Sequence, residues 1–189
     1  MDIYENCRQA AQYISEHLDT EGAIGIVLGS GLGNLADRIS DAAEIDYRDI
    51  PHFPTATAPG HAGKLIGGYL NGTKVIAMKG RFHYYEGHDM KTVVLPVRAL
   101  KLAGLKAVIL TNAAGGVNLS YSEGTLMLID DFINYMGDNP LVGPNDERLG
   151  VRFPDMTKAL DDNCKQLALK TAEELSDMVM AVNADCVDE

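Results

Sequence analysis

The sequence has few cysteines and no long hydrophobic run, and each shortage excludes a class of protein. Its three cysteines, Cys7, Cys164 and Cys186, form neither a CxxC pair nor a zinc-ligand spacing. No segment approaches the ~20 apolar residues that span a bilayer, and the N-terminus lacks the basic flank and apolar stretch of a signal peptide. We therefore expect a cytoplasmic protein with reduced thiols and without a metal site.

Basic side chains are also scarce, because 16 Lys and Arg stand against 27 Asp and Glu, a formal net charge of −11. A general nucleic-acid binder needs a basic surface to displace counterions from phosphates, and anionic membranes attract basic segments. The sequence therefore predicts neither a nucleic-acid nor a membrane partner. Hydrophobic residues at 46% and charged residues at 23% are instead typical of one globular domain or slightly more.

Glycine and proline are absent from residues 155–189, although the chain contains 19 Gly and 7 Pro. The same stretch carries nine acidic and three basic side chains. The body up to Pro154 is therefore expected to be rich in loops, and the remainder to be a short, acidic and helical tail.

The spacing of apolar residues predicts helices and strands in alternation. Apolar residues three and four positions apart predict helices at 2–18, 92–102 and 158–175. Short apolar runs predict strands at 23–28, 65–70, 73–78, 107–110 and 125–133. Asn71 and Gly72 between two of these runs predict a β-hairpin. The alternation predicts an α/β domain with a largely parallel sheet and one antiparallel hairpin.

Two stretches fit regular elements poorly. Pro96 falls inside the helix predicted at 92–102, where it needs either the first turn or a kink. Residues 134–154 are rich in Gly, Pro, Asn and Asp and show no periodicity. A loop of that length is usually functional or disordered.

Two glycine-rich turns, 29–33 and 112–116, directly follow two of the predicted strands. In open α/β sheets, ligands bind beyond the carboxyl ends of strands, and glycine lets backbone N–H groups approach an anion. The dinucleotide fingerprint fails because residue 34 is Asn, and no Walker A motif occurs. The turns are therefore either an anion site of another kind or tight turns alone, and the glycine spacing by itself favours tight turns.

The segment 80–88, with the sequence GRFHYYEGH, is the densest in candidate chemistry. Arg81 and His83 are two residues apart, so in an extended segment both side chains point to the same side. A guanidinium beside an imidazole can receive a phosphate, and Glu86 could orient the histidine. The alternative is a surface loop with packed aromatics and solvated charges. His61, close to two glycines, is either exposed by accident or presented to a ligand.

Six motifs extend this pattern over most of the chain. GSGLG, PGHAGKL, GRFHYYEGH, VLPVRAL, TNAAGGVN and NPLVGPNDERLGVRFPDM follow one another in that order. Together they closely resemble the trimeric purine nucleoside phosphorylase (inosine–guanosine phosphorylase) family. The resemblance implies an α/β, phosphorylase-type three-layer fold, with a mixed, largely parallel central sheet flanked by helices. It also implies a phosphorylase-like domain at 1–175 and a divergent acidic tail at 176–189. Within this tail, 178–182 could be the start of the family's next strand.

The resemblance implies roles for individual residues. Its phosphate site would consist of Ser30, His61, Arg81, His83 and the backbone N–H of Ala113. Tyr85 matches a tyrosine near the ribose, and Phe153 an aromatic residue that reaches the neighbouring subunit's nucleoside pocket. The implied catalytic residues are His83 and Glu86, and Glu86 would orient the histidine without contacting the substrate itself.

The implied reaction is phosphorolysis of purine nucleosides to free base and ribose 1-phosphate, in purine salvage. It would be catalysed by a homotrimer with phosphate as co-substrate and no cofactor. The family's purine-recognising motifs, which belong to a C-terminal half, do not occur in this sequence. Since help for the leaving group commonly supplies ~10²–10⁴ in rate, we expect a C-terminally truncated, weak or inactive phosphorylase. The alternative is a non-catalytic phosphate- or nucleotide-binding paralogue, or a subunit of an assembly.

Overall fold

The computed structural model describes residues 2–29, 31–54, 63–175 and 179–182, the last of these by their backbone alone. The chain divides into two compact units. The first unit contains Met1–Ala113 and Pro140–Leu149, and the second contains Ala114–Asn139 and Gly150–Glu189. No helix among these described ranges is long and apolar enough to cross a membrane.

The first unit is built on a five-stranded mixed sheet. Its strands are β1 (Ile24–Leu28), β2 (Ser40–Asp46), β3 (Lys64–Leu70), β4 (Thr73–Lys79) and β5 (Ala107–Leu110), in the order β2-β3-β4-β1-β5. β1 runs parallel to both β4 and β5, whereas β3 is antiparallel to both β2 and β4. The parallel strands and the hairpin are as predicted, but β2 adds a second antiparallel pairing that the apolar pattern did not predict.

Two helices of the first unit cover one face of this sheet. They are α1 (Ile3–His17) and α2 (Met90–Leu102), each close to its predicted bounds. Asp2 caps α1 by accepting from the N–H groups of Tyr4 and Glu5, and Asp89 caps α2 by accepting from Thr92. Their buried faces share one apolar core with side chains of the sheet, including Val27, Leu65, Ile76 and Met78.

The other face of the sheet has its own smaller core. Ile26 and Leu28 of β1 lie here, packed with Ala36 from a short 3₁₀ helix at Gly33–Arg38. Because successive residues of a strand face opposite sides, β1 is buried on both faces, as its continuous apolar run predicted. The helical residues that follow the first glycine-rich turn form a 3₁₀ helix and not an α-helix.

Pro96 lies in the second turn of α2 and is fully buried. α2 begins at Met90, two residues before the predicted start, so Pro96 is not in the first turn. The sequence predicts Pro96 either in the first turn or at a kink of the helix. The first turn is excluded, and a kink of α2 at Pro96 stays a prediction.

The long segment 134–154 contains no helix or strand, as predicted, and it is divided between the two units. In the first unit, Arg148 binds the carboxylates of Asp146 at 2.6 Å and Asp2 at 3.0 Å, and its guanidinium lies 4.0 Å from the ring centre of Tyr4. The hydrogen bond from Arg148 lowers the pKa of Asp2 below its usual value. This part of the loop is therefore anchored to the start of α1.

The second unit contains a parallel two-stranded sheet and a helix. β6 (Leu126–Ile129) pairs with β7 (Val179–Val182), and α3 (Asp162–Glu174) lies between them in the sequence. The strand candidate at 178–182 is confirmed, whereas β6 is shorter than the predicted 125–133. α3 begins after residue 158 because Asp161 accepts a hydrogen bond from Cys164 N–H and caps the helix there. The boundary of an acidic tail at residue 176 stays a prediction.

Gly104, which follows α2, has a conformation that favours glycine. Its φ is +94°, and a Cβ at this position would overlap the Glu21 carboxylate. We expect Gly104→Ala to lower the free energy of unfolding by ~1–2 kcal/mol in urea denaturation. Gly33→Ala is the control, because its Cβ would meet only Lys79 Cε, at 3.9 Å, and its φ is not left-handed. Equal losses for the two variants would contradict the role of backbone conformation at Gly104.

Candidate functional site

His83 is held by a carboxylate three residues further along the chain. It precedes a short 3₁₀ helix, Tyr84–Glu86. The Glu86 carboxylate accepts from the His83 backbone N–H at 3.0 Å and contacts the ring Nδ1 at 2.5 Å. Because one side chain of Glu86 binds both the backbone and the ring, the imidazole cannot rotate without losing a hydrogen bond.

Arg81 and His83 are in direct contact. Arg81 Nε donates to His83 Nε2 at 3.0 Å, so the two side chains share one side of the segment, as their spacing predicted. A guanidinium can only donate, so Nε2 accepts and we assign the ring proton to Nδ1, facing Glu86. In this arrangement the histidine is a neutral acceptor on the side that faces Arg81.

The guanidinium of Arg81 also reaches the end of β5. Arg81 Nη1 donates to the carbonyl oxygen of Thr111, the first residue after β5, at 2.6 Å. These two contacts use two of the five guanidinium N–H groups. The other three have no acceptor among the residues that the structure describes, so they can bind an anion.

The two glycine-rich turns meet at the same place. The Thr111 hydroxyl donates to the Val27 carbonyl at 2.8 Å and accepts from the Gly29 N–H, also at 2.8 Å. A Cβ on Gly29 would lie 3.0 Å from Thr111 O and 3.2 Å from Asn112 Cα, so the backbones touch and only glycine fits without displacement. The turn after β1 and the turn after β5 are thus held against each other.

Strand order explains why these groups converge. β4, β1 and β5 are parallel neighbours, and they lead directly into Gly80, Gly29 and Thr111 respectively. The carboxyl ends of parallel neighbours lie at one edge of a sheet, which is where ligands bind in open α/β folds. This edge of the sheet therefore carries a guanidinium, an imidazole and two backbone turns, an arrangement suited to an anion.

An aromatic cluster in the core holds the segment 80–88 in place. Phe82 lies between Arg81 and His83 in sequence but points into the core, where it packs against Tyr47 and Phe53. The Tyr47 hydroxyl donates to the Gly80 carbonyl at 2.7 Å. Burial raises the pKa of Tyr47 far above its usual value, so the hydroxyl stays a donor at any ordinary pH. The alternative of a solvated surface loop is therefore only partly right: Phe82 packs into the core, Tyr85 is exposed, and the charged groups of the segment bind one another.

Comparison with known proteins shows the family. Residues 23–184 match the family model of the phosphorylase superfamily. A crystal structure of Schistosoma mansoni purine nucleoside phosphorylase, complexed with a novel monocyclic inhibitor, is 41% identical with a TM-score of 0.84, and the match covers 98% of this chain and 72% of that one. The chain belongs to the purine nucleoside phosphorylase family.

Further relatives agree and also show a difference in length. Purine nucleoside phosphorylase 1 of Geobacillus stearothermophilus is 54% identical over 167 residues, covering 88% of this chain and 61% of that protein. Purine nucleoside phosphorylase of Bos taurus is 43% identical over 177 residues, covering 92% and 61% respectively. The chain thus spans less than two thirds of the length of these curated relatives.

The predicted fold is confirmed by the solved structures of this family. Isoform 2 of Schistosoma mansoni purine nucleoside phosphorylase, in complex with cytosine and ribose-1-phosphate, has a TM-score of 0.87 and 43% identity, covering 94% of this chain and 64% of that one. The predicted mixed sheet flanked by helices is therefore the fold of purine nucleoside phosphorylases.

The structure brings together several of the residues assigned to the phosphorylase site. Arg81, His83 and Glu86 form one hydrogen-bonded chain, and Ala113 follows two residues after Thr111, on the turn beside Gly29. The Tyr85 ring stacks on His83 with ring centres 4.7 Å apart and is 82% exposed. Tyr85 can therefore contact a ligand beside the histidine.

The remaining predicted site residues are Ser30, His61 and Phe153. Ser30 and His61 lie outside the described residues, so their contacts with phosphate stay predictions. Phe153 belongs to the second unit, where it is 86% exposed and the Arg152 guanidinium lies 5.8 Å from its ring centre. Its role in a neighbouring subunit of the phosphorylase also stays a prediction.

Thr111 and Tyr47 contact the residues of the candidate site, and the sequence reasoning assigned no role to either. Thr111 could have been found as the first residue after a short apolar strand in a parallel sheet. That strand, β5, is at the edge of the five-stranded sheet, where Ile109 and Leu110 are exposed and not buried. Tyr47 offered no such signal, because it follows β2, a strand without an apolar run. In the described part of the chain, no group of three or more His, Cys, Asp or Glu could hold a metal ion, and the absence of metal and cofactor stays a prediction.

Proposed function

We propose that this chain binds inorganic phosphate at the carboxyl ends of β4, β1 and β5, as the phosphate side of a purine nucleoside phosphorylase site. The convergence of Arg81 and His83 with the turns at Gly29 and Thr111 is the observation that carries this proposal. A guanidinium next to backbone turns is well suited to a small, highly charged oxyanion.

The hydrogen bonds favour phosphate as a nucleophile. An incoming phosphate oxygen competes with His83 Nε2 for the Arg81 Nε–H. His83 Nε2 then accepts a hydrogen bond from the phosphate P–OH, because its other nitrogen already donates to Glu86. The remaining phosphate oxygens stay unprotonated, as nucleophilic attack requires.

The reaction that we propose is phosphorolysis of a purine nucleoside. A phosphate oxygen forms a bond to the anomeric carbon while the bond from that carbon to the purine breaks. The bonding electrons leave with the purine, which takes up one proton. The phosphate P–OH releases one proton, so the protons balance and the sugar becomes ribose 1-phosphate. The transition state resembles an oxocarbenium ion. Tyr85, stacked beside His83, is placed to contact the ribose.

The assembly and compartment are part of the same proposal. We propose a homotrimer in the cytoplasm, in which the exposed Phe153 contacts a neighbouring subunit. Support for the compartment comes from Cys7 and Cys164, which carry free thiols. Light scattering tests the trimer, and a monomeric mass would contradict it.

Calorimetry and an activity assay test the function. The purified 189-residue chain is titrated with inorganic phosphate and with hypoxanthine, and inosine turnover is measured separately. We expect phosphate binding, no hypoxanthine binding and weak or absent turnover. Absence of phosphate binding at millimolar concentration would overturn the proposed site. Turnover at ~1–10³ per second would contradict the expected weak activity. Slow but detectable turnover would support a weak phosphorylase, whereas phosphate binding without any turnover would favour the non-catalytic binding module.

A further inference from the structure

We infer that Thr111 is a positioning residue of the phosphate site, which holds the Gly29 turn and the Arg81 guanidinium in a fixed relation to each other. The inference rests on the proposed phosphate site. Thr111 is not among the residues that the resemblance assigned to phosphate, but it contacts both Gly29, in the first glycine-rich turn, and Arg81.

The first observation is the number of bonds between Thr111 and the end of β1. The Thr111 hydroxyl donates to Val27 O and accepts from Gly29 N–H, both at 2.8 Å. The Thr111 backbone N–H also donates to Val27 O, at 3.2 Å. A hydroxyl has one donor and two acceptor positions, so both of its bonds exist together. Thr111 is thereby bound three times to Val27 and Gly29.

The second observation is that the same residue orients the guanidinium. The Thr111 carbonyl accepts from Arg81 Nη1 at 2.6 Å, while Arg81 Nε donates to His83. Two bonds from different edges of a planar guanidinium define its plane. The position of the Thr111 carbonyl therefore determines which way the remaining N–H groups of Arg81 point.

The third observation is the close contact between the two turns. A Cβ at Gly29 would lie 3.0 Å from Thr111 O and 3.3 Å from Thr111 C. The hydroxyl bonds of Thr111 are partly buried, so water replaces them poorly. Loss of the hydroxyl leaves the Gly29 N–H without its acceptor, and the turn is then free to shift relative to Arg81.

A purely structural role for the Thr111 hydroxyl is the alternative. In that case its removal lowers stability and leaves phosphate affinity unchanged. Thr20 provides a matched control, because its buried hydroxyl also donates to a backbone carbonyl, that of Ala103, at 2.5 Å. Thr20 precedes β1, whereas Thr111 lies at the carboxyl end of that strand. The two threonines therefore make similar hydrogen bonds to backbone carbonyls at opposite ends of β1.

The test compares Thr111→Val, Thr111→Ser and Thr20→Val in the full 189-residue chain. Phosphate affinity is measured by calorimetry and stability by urea denaturation. We expect Thr111→Val to weaken phosphate binding ~10-fold, since a lost bond that leaves a partner unsatisfied is worth about that factor. Thr111→Ser keeps the hydroxyl and should bind within ~3-fold of the parent chain. Thr20→Val should lower stability and bind phosphate like the parent.

Two results would overturn the inference while leaving the phosphate site intact. One is a folded Thr111→Val chain that binds phosphate like the parent. The other concerns Gly29→Ala, which keeps every polar group but pushes the turn away from Thr111. This variant replaces Thr111→Val in the test if Thr111→Val does not fold. Parental affinity in folded Gly29→Ala would also refute the inference. A parent chain that binds no phosphate would instead refute the proposed function itself.

Discussion

Arg81→Ala is expected to weaken phosphate binding at least ~100-fold, the largest effect of any single change in the site. The guanidinium supplies the positive charge of the site, and each charged hydrogen bond to an anion contributes ~1.5–3 kcal/mol. Loss of two such bonds corresponds to a factor of 100 or more in affinity. Calorimetric titration of the variant with inorganic phosphate measures the loss directly.

Two further variants separate charge from geometry. Arg81→Lys keeps the charge but loses the planar fork and its anchor on Thr111 O, so we expect an intermediate affinity. Arg8→Ala is the control, because Arg8 lies on the exposed face of α1 and pairs with Glu5. Its phosphate affinity should equal that of the parent chain. An Arg81→Ala chain that bound phosphate within ~3-fold of the parent would refute the site.

Tyr47→Ala is expected to lower the free energy of unfolding by ~3–5 kcal/mol, the usual range for a buried aromatic. Among the described residues, Tyr47 has the largest side chain that is fully buried. Its ring contacts Phe53 and Phe82 at centre distances of 5.5 and 5.2 Å. The substitution opens a cavity beside Phe53 and Phe82 and removes the hydrogen bond to Gly80 O. Urea denaturation followed by circular dichroism measures the change.

Tyr47→Phe and Tyr85→Ala complete that experiment. The phenylalanine variant keeps the ring and leaves only the Gly80 carbonyl unpaired, so we expect a loss of ~1–2 kcal/mol. Tyr85 is the same residue type but is 82% exposed, so Tyr85→Ala should change stability by less than ~0.5 kcal/mol. If Tyr47→Ala lost no more stability than Tyr85→Ala, the supporting role of the aromatic cluster would be wrong.

Most elements of the first unit could be predicted because their patterns are local. β1 and β5 are short apolar runs that end in glycine-rich turns, and α1 has apolar residues at helical spacing. β2 could not be predicted, because its first five residues are exposed and only Ile45 is buried. Its place in the sheet depends on backbone pairing with β3, for which the side chains carry no signal.

The candidate site likewise contains contacts that local spacing predicts and contacts that it does not. The relation of Arg81 to His83, and of His83 to Glu86, follows from spacings of two and three residues. The contact of Arg81 with Thr111 spans 30 residues, and that of Tyr47 with Gly80 spans 33. Neither contact has a local pattern, because each depends on which strands are neighbours.

The sequence by itself determined the family, the main helices and strands, and the local Arg81–His83–Glu86 group, because these depend on residues a few positions apart or on motifs in a fixed order. Only the tertiary structure decided that Gly29, Arg81 and Thr111 meet at one edge of the sheet. The reason is that the order β4-β1-β5 arises from packing and backbone hydrogen bonds between distant segments. That order brings two glycine-rich turns and one guanidinium together at the place where we propose that phosphate binds.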